Sequence, residues 1–113
     1  MTEGKTTIAQ DVLITIAQLT TLNVPGVSRM CTDPPGISRI FKRNFHEGVR
    51  VEVKGDTVFA DIHVILNRDV NVREVSRNIQ GQVSRAISEM VGMQVGGVNI
   101  HIEDIDYARE NEA

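Results

Sequence analysis

A chain of 113 residues, 41% hydrophobic, without tryptophan and with a formal net charge of −3, has the size of one domain that can bury a core of its own. The acidic balance argues against bulk attraction to nucleic-acid phosphates. The single cysteine, Cys31, excludes an internal disulfide and, with no CxxC pair, a cysteine-based structural zinc. No run approaches the roughly 18 to 20 apolar residues of a membrane span, and residues 1–7 carry no basic start followed by an apolar stretch. The expectation is a soluble, cytoplasmic protein, with a flexible N-terminus over 1–6, one domain over 7–106 and a charged, flexible tail over 107–113.

Thr7-Ile8-Ala9-Gln10 fits a capping box, in which the Thr7 hydroxyl accepts from first-turn amides and Gln10 reaches back to the Thr7 amide. Ile8, Val12, Ile16 and Leu19 then fall on one stripe, with Ala9, Leu13 and Ala17 beside it, which predicts an amphipathic helix to Leu22. Pro25 stops it, because proline disfavours helical geometry in the residue before it and has no amide to donate. Val27 to Cys31 reads as a short edge strand, and Thr32-Asp33-Pro34-Pro35-Gly36 as a breaker. Ile37, Ile40, Phe41 and Phe45 recur at helical spacing with Arg39, Lys42 and Arg43 between them, predicting a short basic amphipathic helix or an ordered loop.

The clearest pattern is Gly48 to Asn67. Apolar and polar residues alternate on both sides of Lys54-Gly55-Asp56-Thr57, as in two antiparallel strands joined by a tight turn. Val49, Val51 and Val53 share one face with Val58, Ala60, Ile62, Val64 and Leu66. The other face carries Arg50, Glu52, Lys54, Asp61, His63 and Asn67, interrupted by Phe59 and Ile65, and reads as solvated or open to a partner. Asn71 and Glu74 mark the start of a second helix, carried on by Val72, Val75, Ile79, Val83, Ala86, Ile87, Met90 and Val91. Gly81 is unfavourable in that helix unless it permits a close approach. Gly92 suits a C-cap, Gly96-Gly97 a turn, and Val98 to Glu103 a last strand with Val98, Ile100 and Ile102 inward. The predicted fold is α+β: a two-layer sandwich with two main helices on one face of a mixed three- to four-stranded sheet, in the order α-β-β-β-α-β.

Chemistry-bearing clusters are sparse. If the last strand neighbours the second hairpin strand, His63, His101, Asp61, Glu52 and Glu103 gather, a set that suits a metal ion. A solvated sheet face explains the same residues, and no HxxH or HExxH spacing is present. Cys31 and His46 offer a nucleophile and a base without a third group to orient them. Gly92 to Gly97 runs from helix to strand, the reverse of a phosphate-binding loop. Arg39, Lys42 and Arg43, with Arg50, form the best local site for an acidic partner, against which stands a simple amphipathic helix with its charges in water.

Taken together, GKTTIAQDVLITIAQLTTLNVPGVSRM, GVRVEVKGDTVFADIHVIL, VNVREVSRNIQGQVSRAISEMVGMQV and VNIHIEDI resemble the bacterial alkaline shock protein family, also described as a general or envelope stress response family. The resemblance runs from Gly4 to Ile105 and is strongest at Ile8-Ala9, Val24-Pro25-Gly26-Val27 and Val98 to Ile102. It implies a small cytoplasmic, non-enzymatic protein with no cofactor and no catalytic residue, in a family some of whose members assemble at the inner face of the membrane through a membrane-anchored protein partner. Other members are linked to fatty-acid metabolism, so a regulator of that metabolism is one alternative. A nucleic-acid-binding module using the basic 39–50 segment is another. The first expectation is an interaction or scaffold protein that forms homo-oligomers, with Arg39, Lys42, Arg43, Arg50, Phe59, His63, Ile65 and His101 as candidate partner-binding residues.

Overall fold

The computed structural model describes residues 3–32 and 45–107. Helix α1 spans Gln10–Leu22, and strands β1 to β4 span Val27–Met30, Phe45–His46, Val49–Lys54 and Thr57–Asn67. Helix α2 spans Val72–Val91 and strand β5 spans Gln94–Asp106. The fold is the expected α+β arrangement of two helices on a mixed sheet. The two-residue β2 adds a strand where helical spacing had included Phe45, because Phe45 and His46 pair with Arg50 and Val49 of β3.

The sheet is built around β4. Along one edge it pairs in parallel with β5, from Thr57 with Gln94 to Asn67 with Asp106. On its other side it pairs antiparallel with β3 over Thr57 to Ile62 and with β1 over Val64 to Leu66. The β3–β4 hairpin closes through Gly55-Asp56, with Lys54 opposite Thr57. Gly55 has φ 64°, a left-handed conformation that glycine adopts without a Cβ clash. A parallel pair needs a crossover, and α2 supplies it between β4 and β5.

One sheet face is apolar and covered. Val49, Val51, Val58, Ala60, Ile62, Val64 and Leu66 are buried against Leu13, Ile14 and Ala17 of α1 and Val75, Ile79, Val83 and Ile87 of α2. Burial of aliphatic side chains of this kind stabilises by roughly 1.5–3 kcal/mol each before entropy is subtracted. Val53, at the hairpin tip, is 39% exposed and lies beyond the helical cover.

Helix α1 departs from its sequence pattern twice. It begins at Gln10 with Ala9 as N-cap and no side-chain cap, because the Gln10 amide that would close a capping box donates instead to the Val51 carbonyl at 2.8 Å. Its buried residues are Leu13, Ile14, Ala17 and Thr21, whereas Ile8, Val12 and Leu19 are 38%, 46% and 56% exposed. The helix is apolar nearly all round, so more than one stripe could face the sheet. The stripe containing Ala17 wins, since a small side chain lets the helix come close. Thr21 tolerates full burial by donating its hydroxyl to the Ala17 carbonyl at 2.7 Å.

Helix α2 keeps its predicted ends. The Asn71 side chain accepts from the Glu74 amide at 3.0 Å, and Gly92 closes the helix in a left-handed conformation. Val72 and Met90, expected in the core, are 42% and 70% exposed, because the buried stripe is the narrower Val75-Ile79-Val83-Ile87 row. Gly96 and Gly97 form no separate turn and belong to β5. Val58 pairs with Val95 and Phe59 with Gly97, leaving Gly96 as the extra residue of a bulge. A Cβ on Gly96 would lie 2.4 Å from Phe59 Cε1, so glycine is required there to seat the Phe59 ring.

Candidate functional site

The polar sheet face is a connected ladder across β3, β4 and β5. Parallel register places His63 opposite His101 and Asp61 opposite Asn99, and antiparallel register places Arg50 opposite Asp61. The two imidazoles stack with centroids 4.3 Å apart and planes 10° from parallel. His63 Nδ1 donates to Glu103 Oε2 at 2.6 Å, and His101 Nε2 to Asp61 Oδ1 at 3.2 Å. Asn99 Nδ2 donates to the same Asp61 oxygen at 3.2 Å, and Arg50 Nη1 to Asp61 Oδ2 at 3.3 Å. Burial pushes Asp61 upward, but the hydrogen bonds from His101 and Asn99 and the charges of His101 and Arg50 outweigh it, holding the carboxyl below its ordinary value.

The side chains of this ladder are tied mainly to one another, which makes it a structural seam. Each carboxylate holds a ring nitrogen, an amide or a guanidinium, and Arg50 also pairs with Glu52 at 3.6 Å. Among the described residues, no group of three or more His, Cys, Asp or Glu is placed to hold a metal ion. Cys31 is a half-buried free thiol whose amide donates to the His63 carbonyl. Among the described residues it shares no hydrogen bond with His46.

The expected solvated face is therefore only partly open. His63 is 8% exposed and Ile65 5%, so neither offers the surface that alternation assigned to it. His101 remains exposed. Phe59 is 37% exposed, seated over Gly96 with Lys54 Nζ 5.6 Å from its ring centre. Arg50 is half-buried and tied to Asp61. Arg39, Lys42 and Arg43 lie outside the described residues, as does the tail beyond Tyr107.

A second surface is apolar and helical. Val12, Leu19 and Leu22 of α1 are 46%, 56% and 41% exposed, and Met90 of α2 is 70% exposed. Sequence pattern had placed Val12, Leu19 and Met90 in the core. The signal that pointed here was the breadth of the apolar surface on α1, which exceeds what one face of a sheet can cover.

Both the sequence and the fold have counterparts among known proteins. The model of the alkaline shock protein family, described as of cell envelope-related function, matches residues 1–107. The chain belongs to the alkaline shock protein family. As a member it is 26% identical over 106 residues to YloU of Bacillus subtilis, covering 90% of this chain and 88% of that protein. It is 35% identical over 103 residues to Spy1535 of Streptococcus pyogenes serotype M6, covering 90% of this chain and 79% of the other. Among solved structures it is similar to MamM CTD. A zinc form superimposes with a TM-score of 0.52 at 13% identity, covering 87% of this chain and 88% of that one. A variant of the same domain gives 0.53 at 14% identity, covering 87% and 100%. At such identities the likeness speaks for the fold of this alkaline shock family chain alone. No described helix is long and apolar enough to cross a membrane.

Proposed function

We propose that this alkaline shock family protein is a non-enzymatic interaction protein of cell-envelope stress homeostasis, which self-associates and binds a membrane-anchored protein partner from the cytoplasmic side. The family's cell envelope-related function supports the setting. The observation that carries the mechanism is the uncovered apolar surface of Val12, Leu19, Leu22 and Met90. Four large apolar side chains left in water on the helical layer favour association, because burying them removes apolar area from solvent. The polar seam fits the same reading. Its histidines and carboxylates are spent on one another, tying β5 to β4 and β3, which makes a rigid support and not a reactive centre.

Light scattering of the purified protein over rising concentration, combined with affinity capture from detergent-solubilised membranes of the source cell, tests both halves. Concentration-dependent mass and a captured membrane protein are expected. A strict monomer at high concentration with no captured partner counts against the proposal. Of the basic 39–50 segment on which the nucleic-acid alternative rests, Arg50 already serves Asp61 and Glu52.

A further inference from the structure

Among the described residues β5 pairs only with β4, and no strand lies on its outer edge. Beside that edge runs α2, and the two enclose a groove of about 510 Å³ lined by Val72, Arg73, Ser76, Arg77, Gln80 and Ile102. Gln80 Nε2 already donates to the Val98 carbonyl at 3.0 Å, so α2 side chains reach the β5 backbone here. Arg73 and Arg77 stand one helical turn apart, and both are exposed. Among the described residues neither makes an ion pair or a hydrogen bond. Arg85, further along α2, is by contrast held by Glu89.

We propose that the groove between β5 and α2 binds an extended acidic peptide segment of a partner protein, which adds to the edge of β5 as a further strand and places carboxylates on Arg73 and Arg77. An unpaired edge offers backbone donors and acceptors that an extended peptide satisfies, while alternate side chains enter flanking pockets. Val72 and Ile102 supply the apolar floor. Two guanidiniums at (i, i+4) supply charge recognition, and carboxylates are the natural partners of their forked donors. The acidic side chains of β5 are each held by a local partner. Glu103 is engaged by His63, Asp106 accepts from the Ser28 hydroxyl at 2.7 Å, and Asp104 accepts from the Ile105 amide at 2.8 Å. The groove is separate from the apolar surface of Val12 and Leu19, so its peptide-binding test can fail while self-association stands, and the reverse.

The probe is a fluorescent peptide of about ten residues, a length matched to long strands, in which Glu alternates with Val, with a Lys-Val peptide as control. The full chain is expected to bind the Glu-Val peptide and not the Lys-Val one, more weakly as salt rises. Arg73→Glu/Arg77→Glu is expected to lose about tenfold or more in affinity. Neither arginine is buried, so the variant should fold as the parent does, which its circular dichroism checks. Hydrogen exchange of β5 amides should slow on addition of the Glu-Val peptide. The proposal is overturned if the Glu-Val peptide does not bind, if the double variant binds it equally, or if exchange slows elsewhere and not in β5. It is equally overturned if β5 amides are already protected in a concentration-dependent way without peptide, which would assign the edge to a second copy of this chain.

Discussion

Gly81 and Gly96 show how differently two glycines act. Around Gly81, in the middle of α2, nothing lies within 4 Å of where a Cβ would stand. It permits no close approach and only lowers helix propensity. Gly81→Ala is expected to raise stability by about 0.5–1 kcal/mol, read as a higher urea midpoint with unchanged slope. Gly96→Ala drives a methyl into the Phe59 ring and is expected to destabilise by about 1–3 kcal/mol. The loss should shrink in a Phe59→Ala background, because the clash partner is gone. Asp61 makes a pH prediction. Its folded value lies below the ordinary 3.8, so its stabilising contribution is full above that value and is lost as pH falls through the lower folded value. Asp61→Asn is therefore expected to be less stable than the parent at neutral pH, and the gap should close below pH 3.8. A gap that stays constant from about pH 7 to about pH 3 in urea titrations would show that the carboxylate is not responsible.

Elements differ in how far they could be read in advance. The hairpin was legible because period-two alternation fixes its faces and Gly55-Asp56 fixes its register. Helix α2 was legible at both ends because Asn71 and Gly92 act locally. Asn71→Ala is expected to cost about 1 kcal/mol by thermal or urea unfolding, since the Glu74 amide loses its acceptor. Helix α1 was legible as a helix but not in its rotation. Ile8, Val12, Ile16 and Leu19 make as good a stripe as Leu13, Ile14, Ala17 and Thr21, and only the approach of the sheet decides between them. Leu13→Ala should accordingly cost about 2–5 kcal/mol, whereas Leu19→Ala should change the stability of the monomer by less than about 1 kcal/mol. The Gly96 bulge and the burial of Ile65 were hidden for the same reason, since both depend on contacts between distant segments. On the polar face the stacking of His63 on His101 followed once β5 was placed beside β4. That His63 would be buried and tied to Glu103 did not follow from alternation alone.

At the scale of the whole molecule, a two-layer fold covers one face of its sheet and leaves the outer side of its helices in water. In most such domains that outer side is polar. Here α1 presents Val12, Leu19 and Leu22, with Met90 of α2 also exposed, and the proposed self-association follows from that departure. The most direct test is sedimentation equilibrium of the parent and of Val12→Glu/Leu19→Glu over a wide range of protein concentration. Both substituted side chains are well exposed, so the variant should keep the parent's circular dichroism and urea midpoint in the monomer range. The expected result is reversible association of the parent and a monomeric variant. A parent that stays monomeric throughout, or a variant that associates as strongly as the parent, would contradict the account.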